Sequence, residues 1–174
     1  MSNARNLANL MGTNTVIPQS KVNLSLAASD MPTGSVLQVL SDEISSPTGN
    51  LTTTYADVGL SISITPTSSS SKIWICMNTQ GYVVQSGGFG ARLLRGTTEI
   101  FAPAPTSSTG PLALYSSSGS LYAPVGFQYL DSPSTTSAVT YKIQARKYDG
   151  DAAQFLRDMS GTAKAYLTAW EIAG

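Results

Sequence analysis

The chain contains no histidine, one cysteine and only 11% charged residues, under half of the roughly 25% usual in globular domains. Without imidazole there is no Ser-His-Asp or Cys-His catalysis, no histidine-built zinc site and no histidine pH switch. The lone Cys76 cannot form an internal disulfide, so no oxidising compartment is implied. Basic and acidic side chains balance at ten each, which removes the positive footprint that nucleic acid requires. No apolar run approaches 18 residues, so no helix is expected to span a membrane. The run Leu7 to Met11 behind Arg5 is interrupted by Asn9 and too short for a secretory leader. Synthesis in the cytoplasm without a signal peptide is the expectation.

What the chain has instead is hydroxyl groups. Its 25 serines and 19 threonines make about a quarter of the 174 residues, so hydroxyls rather than ions must wet the surface. Lys and Glu are scarce, which leaves few strong helix formers, whereas Thr, Val, Ile and Tyr suit strands. The length fits one domain with a short extension, enough to bury a core without staples.

Residues 1–33 read as an N-terminal arm. Ala4, Leu7, Ala8 and Met11 fall on one face of a two-turn helix, capped by Ser2 or Asn3 and ended by Gly12. A helix this short is marginal alone in water. The rest of the arm, through the turn signal Met31-Pro32-Thr33-Gly34, has no sustained period. The arm is therefore expected to order against another protein, with Leu7, Leu10, Met11, Val16 and Ile17 as its apolar anchors.

Residues 34–174 read as strand after strand. Val36 to Leu40 is a short, mostly apolar run. Leu60, Ile62 and Ile64 alternate with Ser61, Ser63 and Thr65 until Pro66 stops the strand. Lys72 to Thr79 carries Ile73, Ile75 and Met77 on one face and Trp74 and Cys76 on the other, which predicts burial on both, with Tyr82 to Val84 as a continuation. Phe89 to Arg95 and Glu99 to Ala102 flank the turn Gly96-Thr97-Thr98. Residues 103–120 are rich in Pro, Ser, Thr and Gly and predict a long loop, in which Leu114 and Tyr115 are the candidate receptor contacts. Leu121 to Leu130 and Tyr141 to Arg146 are further strands. Asp149-Gly150 is the strongest hairpin signal, with Gln154 to Asp158 as the return strand. Ala163 to Ile172 comes last, its bulky face formed by Tyr166, Trp170 and Ile172. Strands at intervals of about ten residues without helices between them predict an all-β fold, a single antiparallel β-sandwich or jelly roll.

Little in this pattern points to chemistry. The ten acids sit mostly in turns or at strand ends, where Asp stabilises the turn itself, and the Asp149–Asp151 loop offers too few oxygens for calcium. No catalytic residue, metal site or cofactor is expected. Cys76 reads as a buried, inert thiol. Gly87-Gly88-Phe89-Gly90 lacks the Lys-Ser or Lys-Thr pair of a phosphate loop and reads as a bulge or bend. Trp74 and Trp170 read as core.

Four segments together resemble tailed-bacteriophage virion proteins, the small tail-fibre-like or head-decorating proteins of marine and cyanobacterial phages. They are Ala4 to Gly12, Tyr55 to Pro66, Asp131 to Ser137, and the ending Trp170-Glu171-Ile172-Ala173-Gly174. The resemblance implies a β-sandwich head, frequent homotrimerisation and a non-enzymatic place on the virion surface. A repetitive shaft, as in long fibres, is absent. The expected function is capsid decoration of the cement type, with the arm lying on the major capsid protein. The alternative is a short tail fibre or receptor-binding tip, joined to a tail adaptor and reading a host surface glycan through Tyr115. Tyr166, Trp170 and Ile172 are the candidate oligomer face.

Overall fold

The computed structural model describes residues 27, 30–84, 86–102, 113–149, 152–157 and 162–174. They form an all-β fold of two antiparallel sheets. The strands are β1 (Val36–Ile44), β2 (Ala56–Ile64), β3 (Lys72–Val83), β4 (Gly87–Arg95), β5 (Thr98–Phe101), β6 (Ala113–Ser116), β7 (Leu121–Asp131), β8 (Val139–Asp149), β9 (Ala153–Gln154) and β10 (Ala165–Ile172). Sheet A has the order β1-β10-β3-β7, with β9 beside the far end of β3. Sheet B has the order β2-β8-β4-β5, with β6 beside the start of β4.

The pairings nest. β4 pairs with β5, β3 with β7, β2 with β8 and β1 with β10, so the chain is one long antiparallel ribbon folded over on itself. Lateral pairing of β10 with β3 and of β8 with β4 closes the two sheets. The innermost turn uses Gly96 at φ +60°, a left-handed conformation that glycine adopts without a Cβ clash.

Alternation decides which side chains face inward. Leu60, Ile62 and Ile64 of β2 meet Ile73, Ile75 and Met77 of β3, Phe89, Ala91 and Leu93 of β4, and Tyr141 and Ile143 of β8 in one buried core. The facing side of β10 is Ala165, Leu167 and Ala169. The glycines of β4 lie inside the strand, where the register with β8 shifts between Gly88 and Phe89, a bulge as the sequence suggested.

Three expectations change. The Asp149-Gly150 signal does not produce a hairpin between neighbours. After β8 the chain crosses to the other sheet, and Gln154 and Ala153 pair with Tyr82 and Val83 of β3. That path buries Phe155 and Leu156 completely, and Thr79 Oγ1 donates to the Phe155 carbonyl at 2.7 Å. The 103–120 stretch contains a strand, β6, which pairs Gly87–Gly90 of β4. Finally, Trp74 and Trp170 are not core: they are 42% and 41% exposed.

Two buried polar clusters tie the fold together. Asp131, at the end of β7, accepts from Arg95 Nη1 at 3.0 Å to each carboxylate oxygen and from the Tyr141 hydroxyl at 2.6 Å. It thereby joins sheet A to β4 and β8 of sheet B. Burial, reinforced by the hydrogen bond to Asp131, pushes the Tyr141 phenol far above its ordinary value. Glu171, fully buried on β10, accepts from Gln38 Nε2 at 2.6 Å and from the Thr67 amide and hydroxyl at 2.7 Å each. Desolvation works to raise its pKa, but the hydrogen bonds, led by that from Gln38, outweigh it and hold the carboxyl below its ordinary value. A buried carboxylate satisfied by neutral donors fixes the β1–β10 register at the entry to the sandwich.

Candidate functional site

The outer faces of the two sheets differ in kind. Sheet B is covered by polar and cationic groups. Arg92 lies 4.1 Å above the Tyr55 ring and Arg146 4.8 Å above the same ring. Arg92 pairs with Glu99 at 2.8 Å and Lys142 with Asp57 at 3.1 Å. Each of these contacts covers ring or carbon surface with charge.

Sheet A carries the opposite pattern. Register places Val39 opposite Trp170, Trp170 opposite Trp74, and Trp74 opposite Leu130. Directly opposed residues share a face, so the four make one row across β1, β10, β3 and β7. Their exposures are 51%, 41%, 42% and 50%. Each tryptophan leaves about 100 Å² in water, which at about 25 cal/mol/Å² forgoes roughly 2.5 kcal/mol apiece.

The next row is Ser41, Thr168, Cys76 and Gln128, small or polar and uncharged. On the other side Val36 pairs with Ile172. Between these rows lies a shallow groove of about 430 Å³ lined by Val36, Trp74, Cys76, Gln128, Trp170 and Ile172. Charge is confined to the margins. Lys72 stands at one end, opposite Ile172, and Glu43 stands at the other, held by Lys164 at 2.6 Å. An apolar, charge-depleted centre with a polar rim is the composition of a contact surface.

The sequence-derived candidates fall as follows. Tyr166 and Trp170 lie on this outer face, 42% and 41% exposed, and Ile172 is half-buried beside the groove. Leu114 points into the core at 9% exposure, whereas Tyr115 is 44% exposed. Leu7, Leu10, Met11, Val16 and Ile17 lie outside the described residues. Cys76 is half-buried on the outer face rather than sealed in the core. Sequence reasoning missed Val39, Trp74 and Leu130 as surface groups. Their strands carry bulky apolar residues at both parities, so period alone did not say which side faced out.

Among the described residues no three His, Cys, Asp or Glu side chains gather as a metal site, and no helix is long and apolar enough to cross a membrane. The outer face of sheet A thus presents an apolar row, an uncharged neighbouring row and a charged margin. No protein-family model matches the chain, and no curated protein matches it.

Proposed function

We propose that this chain is a non-enzymatic structural protein of a tailed-bacteriophage particle, a capsid-decorating surface protein of the cement type anchored through residues 1–33. It assembles with its own kind and with the major capsid protein, and takes no cofactor. The observation that carries the reading is the row Val39–Trp170–Trp74–Leu130, apolar, uncharged and about half-exposed. An exposed apolar row of this kind suits an assembling subunit. The nested strand order supports it further. We read the ribbon β1–β10, β2–β8, β3–β7, β4–β5 as a jelly roll, an architecture found in viral capsid and lectin domains.

The entry of the chain fits an anchored subunit. The Gly34 amide donates to the Ala173 carbonyl and the Ala173 amide to the Ser35 carbonyl, both at 2.8 Å. The junction between arm and sandwich is thus clamped by backbone bonds, and a pull on the arm is transmitted to sheet A. Deleting residues 1–33 is expected to leave a folded sandwich that no longer enters particles. Normal incorporation of that variant refutes the anchor.

A second reading rests on Tyr115, exposed on β6 next to residues 103–112. In that reading the chain is a short tail fibre or receptor-binding tip and Tyr115 stacks on a host glycan. Particles that lose heat stability without the protein favour decoration, whereas purified protein that blocks adsorption favours the fibre tip.

A further inference from the structure

We propose that the outer face of sheet A is the contact between two copies of this chain, related by a two-fold axis running along the strands between β3 and β10. The proposal rests on the reading above only in taking this face as an assembly surface, and it holds for the isolated protein, away from any particle.

The row Val39–Trp170–Trp74–Leu130 has the same character from either end: aliphatic, indole, indole, aliphatic. A two-fold axis between the central strands lays this row over its own reverse. Trp170 then meets Trp74 of the second copy, and Val39 meets Leu130. In the adjoining row Thr168 meets Cys76 and Ser41 meets Gln128, so hydroxyls face an amide and a thiol and no charge is sealed in. An isologous contact requires this self-complementarity. The ions respect it as well. Lys72 overlies Ile172 of the second copy at one margin, where its ammonium reaches water past the edge of the contact, and the Glu43–Lys164 pair stays at the other.

Area also favours a second copy. Four strands at about 4.8 Å and eight residues at about 3.3 Å give about 19 by 26 Å, or about 500 Å² in projection per copy. Two copies meeting over the whole face, charged margins included, bury at most about 1,000 Å² in projection, the lower bound for a specific interface. The groove beside the row, about 430 Å³ and lined by both tryptophans, Val36 and Ile172, receives side chains and adds to that area.

The test uses the full chain. It has two tryptophans and both lie in the row, so emission excited beyond the tyrosine absorption band reports this face alone. Sedimentation velocity from about 1 to 100 µM is expected to show a monomer becoming a dimer, with emission moving to shorter wavelength over the same range. Cys76, the single thiol, is expected to alkylate several-fold more slowly at the high concentration. Trp170→Lys and Leu130→Lys, at different places in the row, are each expected to weaken the dimer at least ten-fold with an unchanged circular dichroism spectrum. Should one variant fail to fold, the other decides. A monomer at 100 µM overturns the proposal: long-wavelength emission would leave the face to a foreign partner, and short-wavelength emission would give it to residues 1–26 of the same chain. A trimer, or a dimer that survives both substitutions, overturns it equally.

Discussion

Asp131→Asn is the most informative single change, because it alters charge and donor pattern without altering shape. The wild-type carboxylate, 6% exposed, receives two bonds from Arg95 and one from Tyr141. The asparagine keeps an acceptor for Tyr141 but turns its amide nitrogen towards a guanidinium that can only donate. Losing a charge-assisted bond and stranding a buried donor each cost about 1–3 kcal/mol. The Arg95 side chain is 33% exposed and recovers part of its hydration, so its share is discounted. The expected loss is about 3 kcal/mol, or about 9 °C in Tm for a chain of this size. Differential scanning calorimetry at pH 7 measures it. Arg95→Met, which leaves the carboxylate at 6% exposure with the Tyr141 bond but without its cation, is expected to lose at least as much. If Asp131→Asn melts within 1 °C of wild type, the two sheets are not clasped at this point and the reasoning fails.

Tyr141 gives an alkaline prediction. Its folded pKa is raised from the ordinary 10.0 by burial and by the bond to Asp131, so its contribution is fully present below pH 10 and declines as pH climbs towards the folded value. Melting between pH 9 and 12 is expected to fall less steeply in Tyr141→Phe than in wild type. Glu171 gives the acid counterpart: its pKa is lowered from 4.5, so its contribution is present above that value and is lost as pH falls below it. Glu171→Gln is expected to melt lower than wild type at pH 7, with the gap closing as pH falls below the ordinary 4.5. Gly81→Ala places a Cβ 2.5 and 2.7 Å from Phe89 Cε1 and Cζ, inside a closed core, and is expected to lose about 1–3 kcal/mol in urea titration.

The strands were largely readable from period. Leu60, Ile62 and Ile64 announce β2 because one parity is apolar and the other is serine. The face assignment of β10 was not readable. Tyr166, Trp170 and Ile172 are the larger side chains, yet the inward positions are Ala165, Leu167 and Ala169. Where two sheets already contribute Phe89, Tyr141, Phe155 and Met77, the remaining space takes alanine, and bulk is turned out. The hairpin signal at Asp149-Gly150 failed because a two-residue turn is a local preference, while burial of Phe155 and Leu156 draws the chain to β3. The Asp131–Arg95–Tyr141 cluster joins residues 36 and 10 positions apart in the chain, a distance that no local pattern encodes.

The nested ribbon also orders events in time. Only the β4–β5 turn joins near neighbours. Each pair outside it closes a longer loop, and β1 with β10 spans Val36 to Ile172, so closure entropy grows outward and folding is slow for the chain's size. β1 is therefore expected to pair last, and as an edge strand of sheet A to exchange its amide hydrogens first. Since Val39 sits on it, the row across sheet A is complete only once β1 is in place, and a half-folded chain lacks part of the face proposed for self-contact.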